Sequence, residues 1–102
     1  MDIQNIMGWI KPDGGMIGIQ NPYDHPKAAA PFFPGSKDPE MAAEKAGWVR
    51  LSAASEYFTS IITARCSRAL TQAQQDTLFE WCAAVGEDYQ EYLIENDLKT
   101  EN

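Results

Sequence analysis

The chain has 102 residues, of which 44% are hydrophobic and 23% charged, a composition typical of a single globular domain. Its net charge of −7 comes from 15 acidic and 8 basic residues. The bases stand singly along the chain, whereas neutralising phosphates requires clustered lysine and arginine. The charge therefore disfavours direct binding to nucleic acid or to an anionic membrane surface.

Targeting and membrane signals are also missing from the sequence. No apolar run approaches the roughly 20 residues that a membrane-spanning helix needs. The N-terminus, MDIQN, lacks the basic start and apolar core of a signal peptide. We therefore expect no membrane association and a cytoplasmic location.

The N-terminal part of the chain predicts a β-hairpin. Residues 6–10 (IMGWI) and 16–19 (MIGI) are rich in strand formers. Residues 11–15 (KPDGG) form the turn, because proline fixes φ and Asp-Gly supplies positive φ. Residues 20–37 hold four of the six prolines. They predict an irregular loop packed on the body, with at most one helical turn at residues 27–30.

The middle of the chain predicts a short helix and then strands. Asp38 is a plausible N-cap, Pro39 stands at the first helical position, and Gly47 is the stop. Residues 48–51 (WVRL) alternate like a strand, and residues 52–55 (SAAS) are turn-like. The next nine residues, EYFTSIITA, are mostly β-branched or aromatic and predict another strand, with a helix as the alternative.

The best-defined element is the helix predicted over residues 71–85. Thr71 and Gln74 form a capping box at its start, and Gly86 ends it. Apolar residues at i, i+3, i+4 and i+7, widened by Phe79, give it an inner stripe: Leu78, Trp81, Cys82 and Val85. A second helix is predicted over residues 88–96.

This order of elements predicts one α+β domain over residues 1–98. We expect a small antiparallel sheet of three or four strands, packed on one face by the C-terminal helices. Trp9, Trp48 and Trp81 come from different elements and are expected to meet in the core. Residues 99–102 are expected to form a frayed polar tail.

Two residues are candidates for a catalytic role. His25 stands beside Asp24 but has no nucleophile near it in sequence, so it more simply anchors its loop through a local hydrogen bond. Cys66 lies beside Arg65 and close to Arg68, which would lower the pKa of an exposed thiol. A nucleophilic cysteine also needs a base and an oxyanion site. We expect both arginines to pair with acids of the C-terminal helices instead.

Metal and cofactor sites are not predicted. Cys66, Cys82 and His25 together leave a classical zinc site one ligand short, and in a reducing compartment the cysteines are expected to be buried free thiols. The turn explains the glycines of residues 13–15 without a bound phosphate or calcium. We therefore expect a protein that is not an enzyme, with a small cysteine-dependent enzyme as the alternative.

Charge is the strongest functional signal. Residues 69–98 contain seven acids and no base, although a solvated helix usually interleaves bases to gain i,i+4 pairs. Either this face only confers solubility, or it binds a partner protein with a basic surface. The second reading assigns partner binding to six acids, with two tyrosines as aromatic anchors: Glu80, Glu87, Asp88, Tyr89, Glu91, Tyr92, Glu95 and Asp97.

Three ordered motifs resemble small uncharacterised proteins encoded by bacteriophages and prophages. They are residues 8–14 (GWIKPDG), 47–51 (GWVRL) and 70–74 (LTQAQ), with a histidine in the irregular stretch after the first. The resemblance implies a phage or prophage origin and a shared α+β fold, and it carries no activity. The acidic stretch over residues 87–97 lies outside it.

Charge and resemblance together predict a phage accessory protein that binds a basic host protein in the host cytoplasm. Inhibition of a nucleic-acid-handling or defence complex is one form this could take, because an acidic face can occupy a cleft made for phosphates. The alternatives are a virion or assembly component that self-associates, and a regulatory factor with no contact to nucleic acid.

Overall fold

The computed structural model describes residues 7–56 and 59–101. The elements follow the chain in the order β1 (Met7–Ile10), β2 (Met16–Ile19), α1 (His25–Ala29), α2 (Pro39–Lys45), β3 (Val49–Glu56), β4 (Thr59–Arg65), α3 (Gln72–Val85) and α4 (Tyr89–Glu95). Two 3₁₀ turns, Pro22–Asp24 and Ala30–Phe32, flank α1.

The strands of the described residues form one antiparallel sheet in the order β2-β1-β3-β4. Trp9 stands opposite Ile17 of β2 and Arg50 of β3, and Leu51 stands opposite Ala64 of β4. The predicted α+β fold with a small antiparallel sheet is therefore confirmed.

The N-terminal hairpin is closed by the predicted turn. The amide of Lys11 donates to the carbonyl of Gly15, and the amide of Gly14 donates to that of Lys11, both at 2.8 Å. The carboxylate of Asp13 accepts from the amide of Gly15 at 2.8 Å. Gly8, in β1, has a φ of +143° and would place a Cβ 1.8 Å from the carbonyl oxygen of Ile17. Residues 1–6, including the start of the predicted first strand, lie outside the described residues.

Helices lie on both faces of the sheet, which corrects the expectation of one covered face. Successive strand residues face opposite sides, so Trp9 and Ile10 enter different cores. Ile10 belongs to the core under α3 and α4: Ile10, Val49, Leu51, Ala64, Leu70, Leu78, Trp81, Cys82 and Tyr92. Trp9 packs with Trp48, Ala29 and Ala43 on the other face. Trp9 and Trp48 therefore meet as expected, with ring centroids 5.9 Å apart, but Trp81 lies in the other core.

The second core depends on residues 20–37, which are more regular than expected. They fold into α1 and the two 3₁₀ turns. Three of the four prolines, Pro22, Pro26 and Pro31, stand at the first or second position of a helical segment, where no amide donor is needed. His25 is buried, and its Nε2 lies 2.9 Å from the carbonyl oxygen of Leu51. Trp9 Nε1 donates to the carbonyl of His25 at 2.9 Å. His25 thus anchors this segment across the fold to β1 and β3.

The predicted turn at residues 52–55 is wrong, because β3 continues through it to Glu56. Glycine and proline are absent from residues 52–55, and pairing with β4 holds them extended. The register runs from Arg50 opposite Arg65 to Glu56 opposite Thr59. What the sequence predicted as one strand over residues 56–64 is thus the end of β3 and most of β4. Residues 57 and 58 lie outside the described residues.

Local capping fixes α3 as predicted. Thr71 Oγ1 accepts from the amide of Gln74 at 3.1 Å, and Gln74 Oε1 accepts from the amide of Thr71 at 3.0 Å. The amide group of the same buried glutamine donates to the carbonyls of Gly47, at 2.8 Å, and Ile10, at 3.3 Å. The helix ends at Gly86, whose φ is +79°. The capping residue therefore also ties α3 to the sheet.

The expected frayed tail is wrong for residues 99–101. The amide of Leu70 donates to the carbonyl of Lys99 at 2.7 Å, and the amide of Glu101 donates to the carbonyl of Leu70 at 2.9 Å. Leu70 and Thr100 form a parallel bridge. The buried position of Leu70 explains the pairing, since its backbone polar groups need partners away from water.

Candidate functional site

The structure exposes all the acids of the acidic segment. They lie on α3, on α4 and on the turns after each helix: Asp76, Glu80, Glu87, Asp88, Glu91, Glu95 and Asp97. Asp88 has a structural role as well, because its carboxylate caps α4 by accepting from the amide of Glu91 at 2.9 Å. The remaining acids leave the outer surface of both helices negative.

Tyr92 is not part of this surface, which corrects its assignment as an anchor. Its side chain is buried against Trp81, with ring centroids 5.3 Å apart. Its hydroxyl donates to the carbonyl of Ile62 at 3.0 Å. Burial, and then the charges of Cys82, Glu87 and Glu95, raises the pKa of Tyr92. This phenol holds α4 to the sheet.

The exposed aromatic side chain on this surface is that of Phe79, together with the partly exposed Tyr89. Phe79 was predicted to widen the buried stripe of α3, yet it is 58% exposed. Its ring meets that of Tyr89 edge-on, with centroids 5.5 Å apart and an interplanar angle of 73°. Burial, and then the charges of Cys82 and Asp76, raises the pKa of Tyr89. We call Phe79 and Tyr89 the aromatic corner.

A second exposed apolar group lies at the other end of α4. Ile94 is 79% exposed and borders a cavity of about 370 Å³. We call this cavity the Ile94 pocket; its lining is Gln90, Leu93, Ile94, Asp97, Leu98 and Thr100. Asp97 adopts a φ of +56° just after α4.

The sequence contains a signal for the aromatic corner, which the prediction that Phe79 widens the buried stripe of α3 did not use. Asp76, Phe79, Glu80 and Ala83 share the spacing i, i+3, i+4 and i+7, so they form a second stripe on α3, and all of them are exposed. Two acids in register with Phe79 indicate a solvent-facing phenylalanine. The Ile94 pocket had no such signal, since it requires the tail to fold back beside α4.

The Cys66 region differs from the prediction. Cys66 is half-buried, and its thiol donates to the carbonyl of Gly47 at 3.3 Å. Burial raises the pKa of the Cys66 thiol, although a hydrogen bond from the backbone of Arg68 and the charge of the Arg68 side chain act the other way. The thiol is therefore less ionised than an ordinary cysteine.

The arginines beside Cys66 do not pair with the C-terminal acids. Arg65 pairs with Glu44 of α2, and Arg50 pairs with Glu40 of α2, with 2.6 Å between Nε and Oε1. Within residues 7–56 and 59–101, no ion pair joins Arg65 or Arg68 to α3 or α4. Strand register explains this, because Arg50 and Arg65 stand opposite each other on the face covered by α2.

The other two candidates, His25 and Cys82, are buried on opposite faces of the sheet. His25 is buried in a packing role, with its ring edge-on to Trp9 at 5.5 Å. Cys82 is buried, and burial, and then the charges of Glu87 and Asp88, raises the pKa of its thiol to about 11. No group of three or more histidine, cysteine or acidic residues there could hold a metal ion. None of the helices there has the length and apolar character to span a bilayer.

Comparisons of the chain with family models, with curated proteins and with solved structures found no match.

Proposed function

We propose that this chain is a phage or prophage accessory protein that binds a basic surface of a host protein through the outer side of α3 and α4. The observation that carries the proposal is the pairing of exposed apolar groups with unbalanced acidic charge. Phe79 is 58% and Ile94 is 79% exposed, within a segment of seven acids and no base.

The pairing supports partner binding over solubility alone. Charged groups suffice to keep a surface hydrated, whereas exposed phenylalanine and isoleucine work against it. In protein interfaces, buried aromatic and aliphatic anchors supply most of the affinity. Surrounding charges contribute association rate and choice of partner. The aromatic corner, Ile94 and the acids around them have this division of roles.

The chemistry of the partner follows from the sign of the charge. A basic surface would be attracted to this face, and nucleic acid would be repelled by it. A protein cleft that normally holds phosphates is one such basic surface, so inhibition of a nucleic-acid-handling or defence complex in the host cytoplasm is the specific form we propose. The proposal gives the chain no catalytic role.

The test is an affinity pull-down from lysate of a bacterial host with three proteins. The first is the wild type. The second carries Glu80→Gln, Glu87→Gln, Glu91→Gln and Glu95→Gln, and it keeps Asp88 because that carboxylate caps α4. The third carries Phe79→Ser and Ile94→Ser. A matched control carries Tyr23→Ser and Met41→Ser, which are also exposed apolar residues, at 84% and 49%, but lie outside α3 and α4.

We expect the wild type and the control to recover one partner and the other two variants to lose it. The complex should also form more slowly as the salt concentration rises, because exposed charges are screened beyond about 8 Å at physiological ionic strength. Equal recovery by all four proteins would show that the acidic face only confers solubility. Large homo-oligomers without a partner would favour the assembly component.

A further inference from the structure

We infer that the Ile94 pocket receives an arginine side chain of the binding partner. This inference rests on the proposed function and deepens it by naming the group that the surface recognises. The pocket has a volume of about 370 Å³ between α4 and the C-terminal tail. This lies within the range of side-chain-sized and small-ligand sites, about 300–1,000 Å³.

The walls of the pocket suit a long aliphatic stem. Leu93, Ile94 and Leu98 contribute its apolar lining. Leu93 and Leu98 are partly buried and pack against the core, so these two walls are fixed, and Ile94 is the exposed rim. The methylene groups of arginine and lysine pack along such surfaces while their charged ends stay hydrated.

The polar lining supplies acceptors for a cation. Asp97 brings a carboxylate, Gln90 an amide oxygen and Thr100 a hydroxyl. Asp97 takes part in none of the ion pairs found in residues 7–56 and 59–101, so its carboxylate is open to a further cation. Arg68 and Lys99 border an adjoining cavity that Asp97 also lines, and they partly offset its charge. Glu91 and Glu95 are exposed on the same helix. Their charge adds to the attraction for a basic group.

Arginine fits this lining better than lysine. Its planar guanidinium has five donors and is more weakly hydrated than an ammonium group, so it can bond several acceptors that stand apart. The acceptors here come from α4, from the turn after it and from the tail, and are therefore spread around the pocket. Lysine, as a compact point charge, would satisfy fewer of them.

The experiment titrates the full chain, labelled at its leucine and isoleucine methyl groups, with small probes and follows methyl NMR shifts. The probes are the N-acetyl N-methylamides of arginine, citrulline and lysine at matched ionic strength. Citrulline has almost the shape of arginine without its charge. We expect saturable shifts at Leu93, Ile94 and Leu98 with arginine, and affinity about tenfold lower with citrulline, since hydrogen bonds to charged groups are the stronger ones. Lysine should bind more weakly than arginine.

Asp97→Asn removes the carboxylate and keeps the shape of the side chain. Asparagine tolerates positive φ, so the fold should persist, as an unchanged methyl spectrum away from the pocket would show. This variant should lose the preference for arginine over citrulline. Asp24→Asn is the matched control, because it makes the same change of side chain outside α3, α4 and the pocket and removes no capping hydrogen bond. It should keep that preference.

The inference is overturned if arginine and citrulline bind equally well, or if lysine binds more tightly than arginine. It is also overturned if the pocket methyl groups do not shift, or if Asp97→Asn keeps the preference for arginine. The titration needs no partner protein. The two proposals can therefore fail separately. A pocket that binds arginine together with a failed pull-down contradicts only the proposed function. A successful pull-down with a pocket that does not bind arginine contradicts only this inference.

Discussion

The hydroxyl of Tyr92 donates a hydrogen bond to the backbone carbonyl of Ile62, 3.0 Å away. Two residues along β4, the amide of Ala64 donates to Oδ1 of Asn96 at 2.9 Å. β4 is an edge strand of the sheet, and edge groups left free can pair with another chain. α4 therefore satisfies part of this edge with side chains, which joins the acidic helix to the sheet.

Tyr92→Phe should lower the free energy of unfolding by about 1 kcal/mol, the usual net value of one hydrogen bond. The ring stays in place against Trp81, so the loss reports the bond to Ile62. Urea denaturation followed by tryptophan fluorescence measures it. Tyr23→Phe, at a side chain that is 84% exposed, should leave the stability unchanged. Equal stability of both variants would contradict the role given to Tyr92.

Gln74→Ala should lower the free energy of unfolding by about 2–3 kcal/mol. It leaves the buried carbonyls of Gly47 and Ile10 without this donor and breaks the capping box. Gln72→Ala is the control on the same helix, because that exposed side chain bonds only Asp76 among the described residues. Its effect should stay within about 0.5 kcal/mol. Chemical denaturation of the two variants side by side decides the matter.

Gly8→Ala should prevent the hairpin from packing as it does. The new Cβ would lie 1.8 Å from the carbonyl oxygen of Ile17, and backbone atoms cannot move aside without breaking the β1–β2 register. Gly35→Ala provides the comparison, because Gly35 also has positive φ, +84°, but a Cβ there meets nothing within 4 Å. It should cost only about 1–2 kcal/mol of backbone strain. Thermal melts by circular dichroism should show a far lower Tm, or no folded protein, for Gly8→Ala alone.

The free energy of unfolding should fall above about pH 9, because the Cys82 thiol ionises more easily in the unfolded chain than in the folded one. Its pKa rises from the ordinary 9.0 to about 11 in the folded chain. The unfolded chain therefore loses this proton at lower pH than the folded one. The contribution of the raised Cys82 pKa to the free energy of unfolding is complete below pH 9, and it is lost as pH rises through about 11.

Cys82→Ala should make the fall of unfolding free energy between pH 9 and 11 shallower. Urea denaturation across that range gives the slope, which is compared within each variant because alanine also leaves a small cavity. The same burial predicts slow alkylation of Cys82 in the folded wild type and fast alkylation in urea. Identical slopes for the two proteins would show that Cys82 does not titrate in this way.

Local chemistry in the sequence predicted α2, α3, α4 and the first hairpin well, whereas α1 was expected only as a single turn at residues 27–30. Asp38 caps α2 by accepting from the amide of Met41, and Thr71 with Gln74 caps α3, because these contacts span only a few residues. The reversal between β3 and β4 was misplaced, since serine and alanine are compatible with either strand or turn. Pairing with a distant strand decides such cases.

The burial of individual aromatic residues was harder to predict. Spacing shows which residues share a helix face, but it does not show how wide a strip the neighbouring element covers. For this reason Phe79, which was predicted to be buried, is exposed, and Tyr92, which was predicted to be an exposed anchor, is buried. The second core was also missed, because it needs α1 and α2 to cross the sheet behind Trp9. Of the candidate site, the acids were predicted and the pocket was not.

The pairing of Leu70 with the tail closes the chain between residues 70 and 101 on itself. α3 and α4 lie inside this closed segment, and Gln75 fastens it further by donating to the carbonyls of Leu70 and Glu101 at 3.1 and 3.0 Å. The segment therefore has the construction of one cooperative unit for local opening. In hydrogen exchange, the amide of Glu101 would then exchange at the pace of α3, and not at the pace of a chain end.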